Sequence, residues 1–198
     1  MTPPLILASR SPRRVQLLSQ LGLVFEVIPS ELDETVQPGE EPGAHAERLA
    51  REKALAVALH RPEAITIGAD TVVVIDGDVL GKPRDFDDAV RMLLRLQGRD
   101  HTVASGIAVA YDGGRVISAV ERVRVRFCAF DEAFARAYVT TGEPLDKAGA
   151  YGIQGYGAAL VEGIEGDYFA VMGLPVVRLL AQLRTLGLHY DFQGLSLR

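Results

Sequence analysis

The sequence contains a single cysteine, Cys128, among 198 residues. One thiol excludes an internal disulfide framework, and the Met-Thr-Pro-Pro start lacks a basic and apolar leader; together these point to a reducing, cytoplasmic setting. Long apolar runs are scarce as well. The best candidate, "AITIGADTVVVIDG", is interrupted by Asp70 and Asp76, so no membrane span is expected. Positive charge is not in excess. With 21 Lys and Arg against 26 Asp and Glu, the formal charge is -5, and the field of the whole chain does not attract nucleic acid or an anionic membrane. Any basic site must therefore be local. His45, His60, His101 and His189 lack metal-ligand spacing and read as structural or surface residues.

What the chain does have is apolar content, 48% of residues, enough to build the core of one domain or one two-lobed domain. No internal repeat and no linker interrupts the alternation of strands and helices, which predicts an α/β unit. A strand at Leu5 to Ala8 leads through "SRSPRR" into a helix with Val15, Leu18 and Leu21 on one face, stopped by Gly22. The segment "VFEVI" reads as a strand, "PSELDETVQPGEEPG" as a loop, and Ala44 to about Leu59 as a helix. A buried strand then turns at Asp76 and Gly77. Asp85 to Leu96 is an amphipathic helix with Ala89, Met92, Leu93 and Leu96 inward. Two long strands follow around Asp112 to Gly114; in the second, Arg122, Arg124 and Arg126 alternate with Val123, Val125 and Phe127. Without interleaved aromatics this row reads as the wet side of a strand rather than a nucleic-acid stripe. Cys128 reads as inert core in the same strand. A helix from Asp131 to near Gly142, an ordered glycine-rich loop, a helix from Pro175 to about Leu186 and an irregular tail over 188–198 complete the chain.

Three features do not fit a plain scaffold. Ser11 and Pro12 form a helix start, yet Arg13 and Arg14 follow, adding positive charge where the helix dipole is already positive. Either both are solvated, or an anion such as phosphate sits there. The glycines of a Walker loop are absent, so the side chains of Ser9, Ser11, Arg13 and Arg14 would carry much of the contact. Lys53 interrupts the apolar stripe Ala46, Leu49, Val57. It either runs its stem along a core edge to water or points into a cleft. Asp70 stands amid Ile65, Ile67, Val72, Val73 and Val74, where it loses hydration unless it meets a metal, a cation or several donors. Glu34 in "LDET" and Lys82 in "GKP" gain importance only if a site exists around them.

Taken in order, "ASRSPRR", "LDET", "REKA", "GADTVV", "GKP", "DKAGAYGIQG" and a closing "GLP" resemble the Maf family of nucleoside triphosphate pyrophosphatases, from about Leu5 to Leu186. The resemblance implies an inosine triphosphatase-like (Maf/Ham1) α/β fold: a long twisted mixed sheet flanked by helices, two lobes around a central cleft, and a homodimer. It implies hydrolysis of a nucleoside triphosphate between the α and β phosphates with a divalent cation, Mg or Mn. Arg13, Arg14, Lys53 and Lys82, with Ser9 and Ser11, would bind the polyphosphate. Asp70 would activate water, and Glu34 and Asp70 would hold the metal through hard oxygens; whether Asp70 is base, ligand or both stays open.

Within the family, the branch acting on dTTP and UTP looks like "SPRR", "GADT" and "GIQG", whereas a sister branch acting on 7-methyl-GTP carries tryptophan, glutamine and glutamate at the corresponding positions. This chain has Arg13, Thr71 and Gln154. A glutamine amide offers donor and acceptor together, matching the O4 and N3–H edge of uracil or thymine. The expectation is therefore a dTTP and UTP pyrophosphatase, active also on base-modified pyrimidine nucleotides and cleansing the nucleotide pool. Two rivals stand beside it: a purine or 7-methyl-GTP pyrophosphatase, and a non-hydrolytic nucleotide sensor acting in cell division.

Overall fold

The computed structural model describes residues 2–197. In chain order these form β1 (Leu5–Leu7), α1 (Pro12–Gln20), β2 (Glu26–Val27), α2 (Pro42–Ala58), β3 (Ile65–Ile75), β4 (Asp78–Leu80), α3 (Phe86–Leu96), β5 (Asp100–Tyr111), β6 (Arg115–Phe127), α4 (Glu132–Thr140), β7 (Val161–Glu165), α5 (Tyr168–Met172), α6 (Val176–Thr185), β8 (Leu188–Tyr190) and β9 (Leu195–Leu197). The main sheet has the order β2-β1-β3-β5-β6-β7, with β4 also paired to β3. It is mixed: β1 runs parallel to β2 and β3, while β4 is antiparallel to β3 and β7 to β6. The expected mixed α/β architecture is what forms.

The chain divides into two compact units, one of residues 2–70, 105–121 and 173–197, the other of residues 71–104 and 122–172. In the first, α2 is placed by small residues. Ala46, Ala50, Ala54 and Ala58, four apart and fully buried, form one helix face. Opposite them stand Gly68 of β3 and Gly106 of β5. A Cβ at Gly68 would lie 2.2 Å from the Ala50 carbonyl oxygen, and one at Gly106 would lie 2.2 Å from that of Ala46. Only bare backbone lets the helix come so near. The neighbouring turns then bury Leu49, Val57 and, unusually, Lys53.

In the second unit α3 and α4 are capped by Asp85 and Asp131, whose side chains accept from Asp88 N at 2.7 Å and Phe134 N at 2.9 Å. Their apolar faces meet Val73, Val103, Val123, Val125 and Phe127 in one core. Arg122, Arg124 and Arg126 lie exposed on the other side of β6, where Arg124 pairs with Glu165 and Arg126 with Asp100, as a wet strand face should.

Three expectations need correction, and one helix is new. The tail is not irregular: β8 and β9 pair antiparallel, Leu188 with Leu197 and Tyr190 with Leu195, and the Tyr190 hydroxyl donates to the Leu21 carbonyl at 2.7 Å. The period-two pattern of Leu188-His189-Tyr190 and Leu195-Ser196-Leu197 around a turn carries that ribbon. "VFEVI" supplies only a two-residue strand, because one neighbour, β1, gives it few backbone partners. Cys128 lies past the end of β6 and is half-buried, beside Ala129, Phe130, Phe134 and Ala159 around a cavity of about 290 Å³. An additional short helix, α5, buries Ala170.

Candidate active site

The site grows from the parallel pairing of β1 and β3. Leu5, Ile6 and Leu7 register with Ile65, Thr66 and Ile67, and Ala8 N donates to Ile67 O at 2.8 Å. The chain leaving β1 therefore turns into the Ser9-Arg10-Ser11 loop beside the part of β3 that ends in Asp70. Pro12 opens α1 at a position where its missing N–H costs nothing. Ser11 occupies the N-cap, but its side chain makes no capping bond. Ser9 takes over the organising role: its Oγ accepts from Ser11 N and from Arg14 Nη1, both at 3.1 Å. Arg14 Nε also donates to Gly173 O at 2.8 Å. Burial lowers the pKa of Arg14, partly offset by the nearby charge of Asp70 and aggravated by Arg13. Arg13 and Arg14 are half-buried, and Arg14 is held by Ser9 and Gly173 rather than standing solvated.

Lys53 is buried, and its ammonium does not escape to water. Nζ donates to Asp70 Oδ1 at 2.7 Å and meets Glu34 Oε1 at 2.6 Å. The two carboxylates thus converge on one nitrogen, Asp70 from inside the sheet and Glu34 from an exposed loop. An isolated charge in either buried position would cost several kcal/mol, so each of Lys53 and Asp70 depends on the other. Three cations, Arg13, Arg14 and Lys53, share this region with two acids, a local positive balance in an acidic chain.

Residue-by-residue reasoning missed what holds Glu34 in place. Thr35 N and Thr35 Oγ1 both donate to Asp33 Oδ1, at 3.0 and 2.5 Å, forming a tight turn around Glu34. Arg48 of α2 donates through Nη2 to Thr35 O at 3.2 Å and grips Glu40 with Nε at 2.6 Å and Nη2 at 2.8 Å. That grip pulls the Glu40 carboxyl down to about 2, against the opposing effect of desolvation. His45 closes the network, with Nδ1 3.0 Å from Glu40 Oε2. The Arg48–Glu52 pair, four apart on α2, is the part of this network that spacing alone reveals.

The remaining expected residues belong to the second unit. Thr71 follows Asp70 directly in β3 and is half-buried, and Lys82 is exposed after β4. Gln154 is half-buried at the N-cap of a 3-10 turn, Gly155–Leu160, where its side chain makes no capping bond. Tyr151, in contrast, is core: its hydroxyl lies 2.7 Å from His101 Nε2 and its ring stacks edge-on against Phe127.

Among the described residues no cluster of three or more His, Cys, Asp or Glu could hold a metal ion alone. Glu34 and Asp70 nevertheless offer two hard oxygens already gathered around one cation. Carboxylate oxygens are the donor type that hard divalent cations take, and here both are engaged by the Lys53 ammonium.

A family model, Maf-like protein, matches residues 4–186. The chain belongs to the Maf family. Maf relatives named dTTP/UTP pyrophosphatase include one from Desulfotalea psychrophila, 52% identical over 182 residues that cover 91% of this chain and 93% of the relative. One from Moorella thermoacetica is 53% identical over 88% of this Maf chain and 91% of its own. One from Aquifex aeolicus is 47% identical over 92% and 95%. A solved HAM1 protein from Coxiella burnetii matches with a TM-score of 0.47 at 16% identity over 81% of each chain, a likeness too low to add to the assignment. Among the described residues no helix is long and apolar enough to cross a membrane.

Proposed function

We propose that this Maf protein is a pyrophosphatase that hydrolyses dTTP and UTP, and their base-modified analogues, to the monophosphate and pyrophosphate. The observation that carries the chemistry is the convergence of Glu34 and Asp70 on Lys53, beside a loop in which Ser9 and Arg14 are hydrogen-bonded. The substrate class rests on relatives of about half identity named for it.

In this reading the polyphosphate is bound by Ser9, Ser11, Arg13, Arg14 and Lys82, whose donors match phosphate oxygens better than water does in a partly dry site. Lys53 has three N–H donors; two meet carboxylates, and in this reading the third serves a phosphate oxygen. Asp70 accepts the proton of the attacking water as the anhydride between the α and β phosphates breaks. When bound, a divalent cation held by Glu34 and Asp70 supplies charge neutralisation to the phosphates. Lys53 keeps both carboxylates aligned in its absence. Gln154 and Thr71 belong to base selection, with the Gln154 amide meeting the O4 and N3–H edge of the pyrimidine. The setting that goes with this reading is cytoplasmic, with a homodimer as the working form.

The test incubates purified protein with dTTP, UTP, CTP, GTP and 7-methyl-GTP, with Mg or Mn and with chelator, and follows pyrophosphate. Release from dTTP and UTP above the others is expected. Binding without turnover would mark a sensor, and preference for 7-methyl-GTP a purine enzyme; either ends this proposal.

A further inference from the structure

The glycine-rich loop after α4 is folded around one carboxylate. Glu143 Oε1 accepts from the Tyr138 hydroxyl at 2.8 Å and from Gly157 N at 2.9 Å, and its Oε2 accepts from Tyr156 N at 2.8 Å. The Tyr138 hydroxyl in turn accepts from Gly152 N at 3.1 Å. Amides on both sides of Gln154 are therefore pinned to two side chains that touch each other. We propose that Glu143 and Tyr138 are positioning residues for base selectivity: they fix the 152–157 backbone so that Gln154 holds its amide in one orientation. This rests on the reading of Gln154 given above.

The glycines make the arrangement possible. A Cβ at Gly155 would lie 2.4 Å from Glu143 Oε2. One at Gly157 would lie 2.1 Å from Gly152 O and 2.7 Å from the Tyr138 hydroxyl. Lys147 stiffens the same turn, with Nζ donating to the Glu143 carbonyl and, at 2.7 Å, to Asp146 Oδ1. Partial burial works against ionisation of Glu143, but its hydrogen bonds from Gly157, Tyr156 and Tyr138 outweigh that and hold its carboxyl below the ordinary range. Burial raises the Tyr138 hydroxyl, which stays protonated and able to donate. A polar network satisfied at every member specifies one conformation where a glycine-rich loop would otherwise sample many.

Glu143→Gln is the informative change, since its amide nitrogen only donates and must face an N–H of Tyr156 or Gly157, or the Tyr138 hydroxyl. Tyr138→Phe removes the shared hydroxyl and serves where Glu143→Gln does not fold. The readout is the ratio of kcat/KM for UTP to that for CTP and GTP, with amide exchange of residues 152–157. Either variant should lower the ratio about tenfold, with a smaller fall in kcat for UTP and faster exchange in the loop. Glu143→Gln added to Gln154→Ala should lower the ratio no further. If Gln154→Ala collapses the ratio while Glu143→Gln and Tyr138→Phe keep it, the positioning role is wrong and the Gln154 reading stands. An equal fall for every nucleotide with a lower melting temperature likewise reduces the pair to scaffold. An unchanged ratio in Gln154→Ala overturns the base-reading role, and the positioning role with it.

Discussion

Replacing Gly68 by alanine adds one methyl group and should disturb both the fold and the chemistry. The new Cβ would meet the Ala50 carbonyl oxygen at 2.2 Å and Ala54 N at 2.7 Å, both of them helix backbone that cannot rotate aside. Restoring ordinary contact requires α2 to retreat from β3 by ~1 Å. Overpacking of this kind costs about 3 kcal/mol when backbone rather than side chain must yield. For a chain of this size that is roughly 6–12 °C in melting temperature. Lys53 sits on the same turn of α2 as Ala50 and Ala54, and Asp70 lies two residues beyond Gly68 on β3. The retreat therefore stretches the 2.7 Å Lys53–Asp70 contact itself. A misplacement of that size costs about 100-fold in kcat where alignment carries the catalysis. The assay is thermal melting and steady-state pyrophosphate release, with Gly163→Ala as control, since a Cβ there meets nothing within 4 Å. If Gly68→Ala melts and turns over like the control, the account of how α2 aims Lys53 is wrong.

Other perturbations separate the roles. Asp70→Asn should leave nucleotide binding largely intact while kcat falls about 100-fold, and a near-normal rate would refute its role as base. Lys53→Met leaves the buried Asp70 carboxylate without its partner and should cost about 3 kcal/mol by urea denaturation; adding Asp70→Asn should recover much of that stability but no activity. His101 supplies a pH signature. Burial lowers its pKa to about 4, against an unfolded value near 6.5, with the Asp100 charge opposing weakly. The unfolded chain then binds the proton first, so stability is whole above about pH 6.5 and declines as pH falls toward 4, by about 3 kcal/mol in all. His101→Gln should flatten that part of the profile in denaturant titrations at stepped pH. The Glu40–Arg48 pair acts in a lower window, because the Glu40 carboxyl titrates near 2 in the folded chain.

Much of the scaffold could be read from local pattern. The helix of Asp85 to Leu96 announced itself by its cap and its apolar stripe, and β6 by the alternation of Arg124 and Arg126 with Val123 and Val125, because period and capping are properties of neighbouring residues. The tail ribbon escaped notice because three-residue strands give period-two alternation too few repeats to stand out. Glu143 escaped for a different reason. It looks like any loop acid until Tyr138, Gly152, Tyr156 and Gly157 are known to gather around it.

By itself the order of amino acids determined that Asp70 and Lys53 were misfits on apolar faces, that charge was gathered after β1, and, through its motifs, that the chain is Maf-like. It could not say that Lys53 satisfies Asp70 and Glu34 at once, that Arg48 holds the loop bearing Glu34, or that Ser9 rather than Ser11 organises the start of α1. Periodicity records which face of an element leaves water, whereas pairing across 17 or 13 residues depends on how near two elements can approach. At α2 that approach is set by the missing side chains of Gly68 and Gly106 against a row of alanines, a fit that exists only once helix and sheet have met.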